Sequence, residues 1–160
     1  MPAPYPVSIR RRSVAIDVLR HVAALFVIAV PVNYLWELVQ SPLYFPPSRL
    51  SDVLWHCFAA SLGDGVIVGL IYGFCAILFR ERDWYVRMSR PRLAAMLTAG
   101  LAVGVLVEWV GLRTHRWIYA DTMPLIPGVQ VGLVPTLQML VLPPLIFWVA
   151  RAWITRRRVG

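Results

Sequence analysis

The sequence predicts an all-α polytopic membrane protein: one domain of four transmembrane helices in a bundle, with both termini cytoplasmic. Three observations carry that expectation. Apolar residues make up 59% of the chain and mean hydropathy is +0.65, well above the roughly 45–50% apolar content of soluble domains. Four apolar runs, at about 21–40, 53–79, 93–112 and 129–150, are long enough to cross a hydrocarbon core of about 30 Å at about 1.5 Å per residue. All sixteen basic residues are arginines, grouped at the ends of those runs. A chain of 160 residues is one domain by length.

The net charge of +8 and a pI near 10.5 are features that nucleic-acid binders share. Here the arginines stand beside apolar spans without interleaved stacking aromatics. Membrane orientation accounts for them, and no nucleic-acid partner is expected.

The chain opens with Pro2, Pro4 and Pro6, then Arg10, Arg11 and Arg12. A disordered basic tail over 1–12 is expected. Val14 to Arg20 begins a surface helix in which Asp17 pairs with Arg20 or His21 at helical spacing. The first span follows. It continues through Asn33 and Glu37 with no small-residue cleavage site, so it does not read as a signal peptide. Pro31 predicts a kink. Ala29, Asn33 and Glu37 recur every four residues and form one stripe, which should face protein rather than lipid.

Pro42, Pro46 and Pro47 make a tight loop at 41–52, with Ser51 and Asp52 as caps for the second span. In that span Ser61, Gly65, Gly69 and Gly73 form a small-xxx-small ladder, a surface that lets another helix approach closely. Cys57 and Cys75 share the helix, about 27 Å apart along its axis, too far to form a disulfide. The loop at 80–92 carries five arginines. In the third span Gly100, Gly104 and Glu108 repeat the four-residue spacing and turn Glu108 inward. The fourth span holds Pro135, Gln138, Pro143 and Pro144 and should be bent or locally unwound. Trp36, Trp55, Trp109 and Trp148 read as belt or packing residues.

Thirteen arginines fall in the two terminal regions and the 80–92 loop, against three (Arg49, Arg113, Arg116) in the other two loops. The positive-inside rule then puts both termini and the middle loop in the cytoplasm. With that topology Glu37, His56, Glu108 and Gln138 lie in the outward half, within about one to two turns of the outer surface, and Asp64 lies about 15 Å deep. Each helix contributes a polar group to that half, and the inward half contributes almost none beyond its arginine rim. A charge near the bilayer centre costs about 2.5–3.5 kcal/mol on insertion scales. Glu37, Asp64 and Glu108 must therefore be protonated, paired or wetted, and a protonated carboxyl is what a general acid requires. They are the candidate catalytic acids, with His56 the candidate base.

Asn33 and Gln138 suit interhelical hydrogen bonds and line the same region as candidate substrate-binding groups. Beyond Glu108, residues His115, Trp117, Tyr119 and Asp121 alternate. In an extended segment all four point one way, with Arg113 and Arg116 flanking them, and the segment folds over the outward half as a lid. His115, Trp117, Tyr119 and Arg113 join the substrate-binding set. Gly65, Gly69, Gly73, Gly100 and Gly104 are helix-packing residues. No carboxylate-x-x-His pair, phosphate loop, nucleophile elbow or zinc-protease helix occurs, so no cofactor and no metal are expected.

NYLWE at 33–37, WHCFAASLGDG at 55–65 and EWVGLRTHRWIYADTMPLIPGVQVGLVPTLQ at 108–138 resemble a group of small bacterial four-helix membrane proteins with no assigned function. That resemblance covers most of the chain and implies the bacterial inner membrane. More distantly, the intramembrane acid Glu108 followed by Trp117-x-Tyr119 and prolines resembles the membrane carotenoid cyclases and hydratases. It implies acid catalysis on a polyene, with Glu108 as an acid and the aromatic pair stabilising a carbocation. The chain has only four spans and lacks the paired acids and proline–acid motif of the cyclases.

The expected function is acid–base chemistry on, or binding of, a lipid or isoprenoid-type ligand within the bilayer. Two alternatives stand beside it. One is a structural subunit that docks a membrane-protein partner, or another copy of itself, through its glycine face. The other is a proton-coupled transporter subunit, which needs a polar path through both leaflets.

Overall fold

The computed structural model describes residues 7–44 and 49–157, with side chains described over 15–44 and 49–153. Four helices account for most of the chain: α1 Val7–Gln40, α2 Leu50–Phe79, α3 Arg90–Arg113 and α4 Leu133–Arg157. All four are long and apolar enough to cross a membrane. Among the described residues there are no strands, only two isolated antiparallel bridges, Tyr44 with Tyr119 and Leu125 with Gly132.

α1 begins at Val7, so residues 7–12 are helical rather than part of a disordered tail; residues 1–6 lie outside the described residues, as do Pro46, Pro47 and Arg158. No glycine or proline interrupts 7–20, and arginine and leucine are good helix formers. The first helix therefore has no reason to stop at the membrane edge. α3 starts at Arg90, with Pro91 in its first turn, where a missing N–H costs nothing. α4 starts at Leu133 rather than at 129, because Gly128 (φ 82°) and Gln130 (φ 58°) are in the left-handed region and 126–133 closes on itself through Leu133 N to Pro124 O and Ile126 N to Val131 O. The helix then runs unbroken through Pro143 and Pro144.

α1 packs on α2 and α4, and α3 packs on α4 and α2. The start of α1, the end of α4 and the 80–89 connection lie at one end of the molecule, the arginine end. The end of α1 through Tyr44, the start of α2 and the 114–132 connection lie at the other, the capped end. Between them sits an apolar core of Leu25, Ala29, Val68, Ile71, Met96, Met139 and Ile146.

The glycines grade along the α1–α2 contact. A Cβ on Gly65 would meet the Phe26 ring at 2.8 Å, one on Gly69 would meet Val22 at 3.7 Å, and one on Gly73 would meet nothing within 4 Å. Within this chain, then, Gly73 seats no other helix, although its spacing predicts it as a packing residue. Gly100 and Gly104 seat α3 against Met139 of α4, at 2.7 Å from its carbonyl oxygen and 2.7 Å from its Cγ respectively.

The arginine end is not purely apolar, as residue counts imply. Trp84 and Tyr85, in the short 3-10 turn Trp84–Arg87, are buried against Phe147 of α4. His21 and Tyr72 complete that aromatic cluster. Tryptophan and tyrosine count as apolar in the composition, so a tally of charged and amide residues does not reveal the cluster. Arg92 ties the turn down, donating to the Glu81 carboxylate, to Trp84 O at 2.9 Å and to Arg87 O at 3.1 Å.

Candidate functional site

The four-residue spacing that carries Asn33 and Glu37 along α1 extends to Gln40, three residues past Glu37. These three side chains meet Asp64 of α2 and Gln138 of α4 in one hydrogen-bonded layer. Gln40 Nε2 donates to Glu37 Oε1 at 2.7 Å and to Gln138 Oε1 at 3.1 Å. Gln138 Nε2 donates to Asp64 Oδ2 at 2.8 Å and to Asn33 Oδ1 at 3.0 Å. Asn33 Nδ2 donates back to Ala29 O, and Trp36 Nε1 donates to Gln40 Oε1. Asn33, Gln40 and Gln138 are all buried. Glu37 and Asp64 thus belong to one layer, joined through the Gln40 and Gln138 amides.

Glu108 is held differently. It is buried on α3 and surrounded by donors. Tyr119 Oη donates to Oε2 and Trp117 Nε1 donates to the same oxygen at 3.2 Å, with Tyr44 beside them in the cavity wall. Every partner is a donor, an arrangement that suits a carboxylate rather than a carboxylic acid. Tyr119 Oη is itself fixed by accepting from Gly132 N at 2.9 Å. Burial pushes both phenols up from their ordinary value of 10, with the Glu108 and Glu37 carboxylates adding to the effect at Tyr44 and the hydrogen bond to Glu108 adding to it at Tyr119. Both therefore keep their hydroxyl protons, and Tyr119 remains an O–H donor to Glu108.

The connection over 114–132 makes these contacts possible. His115 (φ 55°) ends α3 in the left-handed region, and Arg116 N returns to Gly111 O at 2.9 Å. That reversal brings Trp117 back onto α3, flat against Gly111, where any Cβ would fall 2.0 Å from Trp117 Cζ2. Ala120 N then donates to Leu43 O, and Tyr44 bridges to Tyr119 with ring centroids 5.6 Å apart.

The alternation over 115–121 therefore holds for Trp117 and Tyr119 alone. His115 and Asp121 are exposed and make no contact with Glu108. The left-handed turn at His115 takes its side chain off the Trp117–Tyr119 face. Arg113 does not reach the site either; its guanidinium stacks 3.4 Å above the Trp109 ring.

A cavity of about 720 Å³ lies beside this layer, lined by Glu37, Asp64, Glu108 and Gln138 together with Tyr44, Trp117 and the apolar Ile67 and Met139. His56 and Arg116 stand at its exposed edge, and the His56 ring nitrogen Nδ1 is 2.6 Å from Asp52 O. Cys57, a buried free thiol, is also in its wall. Among the described residues no three His, Cys, Asp or Glu side chains gather in a way that could hold a metal ion; Glu108 stands apart from the Glu37–Asp64 pair.

Gln40, Tyr44 and Gly111 are site residues not anticipated from sequence. Gln40 was legible as the next position on the Asn33–Glu37 stripe. Tyr44 and Gly111 carry no local signal, since their roles come from contact with the 117–119 segment. No family model, curated protein or solved structure matches the chain.

Proposed function

We propose that this chain is a multi-pass protein of a bacterial inner membrane, a four-helix bundle with both termini cytoplasmic, that performs acid–base chemistry on a lipid or isoprenoid-type substrate held in its capped cavity. The observation that carries this reading is the contrast between its carboxyls. Glu37 and Asp64 sit in an amide-linked layer beside the cavity, while Glu108 accepts from Tyr119 and Trp117. Carboxyls placed in opposed environments divide acid from base roles. In this reading the Glu37–Asp64 pair delivers its proton to the substrate. A second proton leaves the substrate for the emptied carboxylate, so the donor is restored at the end of a turnover. Glu108 stays ionised and stabilises positive charge that develops on the substrate. Asn33, Gln40 and Gln138 hold the pair in register.

Transport is less well supported. The apolar core of Leu25, Val68, Ile71, Met96 and Ile146 separates this layer from the His21–Tyr72–Tyr85 cluster at the arginine end, leaving no continuous polar path. Partner docking through the glycine ladder is also less well supported, because α1 already covers Gly65 and Gly69.

The test compares whole-cell lipid and isoprenoid profiles. Deletion of the gene shifts the profile, wild type restores it, and the double variant Glu37→Gln, Asp64→Asn expressed at the same level does not. Full restoration by the double variant removes the acid–base reading.

A further inference from the structure

We propose that the cavity is entered sideways, from within the membrane, through a window between α2 and α3, and that its occupant is the apolar chain of an amphiphile whose head stays at the membrane surface. The inference rests on the reading of the cavity as a substrate site and adds its route and its substrate class.

The residues of the cavity wall divide by exposure. His56, Ala59, Ala60 and Gly63 of α2 and Val107 of α3 line the cavity and are also exposed on the outer surface. On α2 they recur at spacings of three and four, so they form one stripe along two turns, about 10 Å long. Elsewhere α2 presents large apolar side chains to the outside: Phe58, Leu62, Val66 and Leu70 are all exposed. The stripe is therefore a gap in an otherwise bulky lipid-facing surface.

Small residues on a membrane helix ordinarily bring another helix close, and Gly65 does so against Phe26 at 2.8 Å. Gly63 does not. A Cβ there would meet nothing within 4 Å, so its smallness opens space rather than closing a contact. Overhead the route is obstructed: the Tyr44–Tyr119 bridge, Trp117 on Gly111 and the Ala120–Leu43 hydrogen bond close the capped end.

Depth sets the substrate class. α2 spans Leu50–Phe79, which puts Asp64 and Gly63 near its midpoint and so near the bilayer midplane, while His56 lies about 12 Å nearer the surface. An amphiphile with its head at the level of His56 and Arg116 presents to the Glu37–Asp64 pair an atom about 12 Å down its chain. On the α2 side the route runs past Ala59, Ala60 and Gly63, and no acidic or basic side chain lies between His56 and Asp64. The group acted on therefore belongs to the chain, such as a carbon–carbon double bond, and not to the head.

The experiment needs no turnover. The full-length protein is placed in phosphatidylcholine vesicles containing a trace of phosphatidylcholine with a photoactivatable diazirine in mid-chain. Irradiation is followed by peptide mapping. Wild type should be labelled at Asp64 or Glu37 as well as at lipid-facing positions such as Leu70 and Leu145. In Gly63→Trp the cavity label should fall to background while the Leu70 and Leu145 labels persist. Those persisting labels also report that the variant is folded and inserted.

Cavity labelling that survives Gly63→Trp overturns lateral entry, and a wild type without cavity labelling overturns the apolar-chain occupant. A second measurement serves if Gly63→Trp does not fold. A spin label at Ala60→Cys, in a Cys57→Ala, Cys75→Ala background, should collide with oxygen and not with a water-soluble nickel chelate. The reverse preference overturns the window. Glu37→Gln should keep the labels at Asp64 and at Leu70 and Leu145, so loss of the acid–base reading and loss of the window are separate results.

Discussion

Replacing Tyr119 by phenylalanine isolates the clamp on Glu108 from everything else Tyr119 does. The ring stays, so the edge contact with Tyr44 at 5.6 Å is kept. What disappears is one oxygen with two jobs: it donates to the Glu108 carboxylate and accepts from Gly132 N at 2.9 Å. A hydrogen bond to a charged partner contributes about 1.5–3 kcal/mol and a neutral one about 1 kcal/mol. Trp117 still serves Glu108, so the carboxylate is not left bare. Tyr119→Phe should therefore destabilise the folded protein by about 2–4 kcal/mol. The assay is reversible unfolding in mixed micelles, run as a double-mutant cycle with Glu108→Gln. The two changes remove the same contact, so their effects should fall short of additive by about 1–2 kcal/mol. Strict additivity, or a single-variant loss below about 0.5 kcal/mol, would refute the clamp.

Two further outcomes follow from the same geometry. Gly100→Ala places a Cβ 2.7 Å from the backbone oxygen of Met139, an atom that cannot rotate away. Separating α3 from α4 should cost about 1–3 kcal/mol. Gly73→Ala meets nothing within 4 Å and should be neutral or slightly stabilising through helix propensity; unfolding of both variants side by side distinguishes a graded ladder from a uniform one. The second outcome concerns alkali. Tyr44 and Tyr119 are raised above their ordinary value of 10 by burial, so the folded state holds these protons more tightly than the unfolded state. Their contribution to stability should be fully present below pH 10 and be lost progressively as the pH rises above it. Phenolate absorbance recorded alongside unfolding, in wild type and in Tyr44→Phe, Tyr119→Phe, should show these two tyrosines titrating only as the protein unfolds. Normal titration of both in the folded protein would contradict their burial against Glu108.

Most of the helical architecture was legible in the chain because hydrophobic length and spacing are local properties. Four apolar runs and their flanking arginines needed no tertiary information. Asn33, Glu37, Asp64, Glu108 and Gln138 were identifiable one by one, since a polar side chain in an apolar run stands out against its neighbours. The errors fell where a backbone conformation or a distant contact decided the outcome. His115 was expected on the same face as Trp117, and its left-handed conformation turned it away. Arg113 was expected at the site and instead stacks on Trp109. Gly73 fits the ladder by spacing, yet successive steps of four rotate around the helix, and a Cβ there meets nothing within 4 Å.

By itself, then, the sequence determined that the chain forms four membrane-length helices and that each carries a polar group toward the same end. Composition and period are sufficient for that, because lipid forces backbone hydrogen bonds to close within each segment. Only the tertiary structure decided how the polar groups divide. Whether a carboxyl sits among amides or among aromatic donors depends on side chains brought together by the fold, Asp64 with Gln138 and Glu108 with Trp117 and Tyr119. The same holds for Gly63 and Gly65, two positions apart on one helix: one opens the cavity to the surface and the other packs against Phe26, because only the second has a helix in front of it.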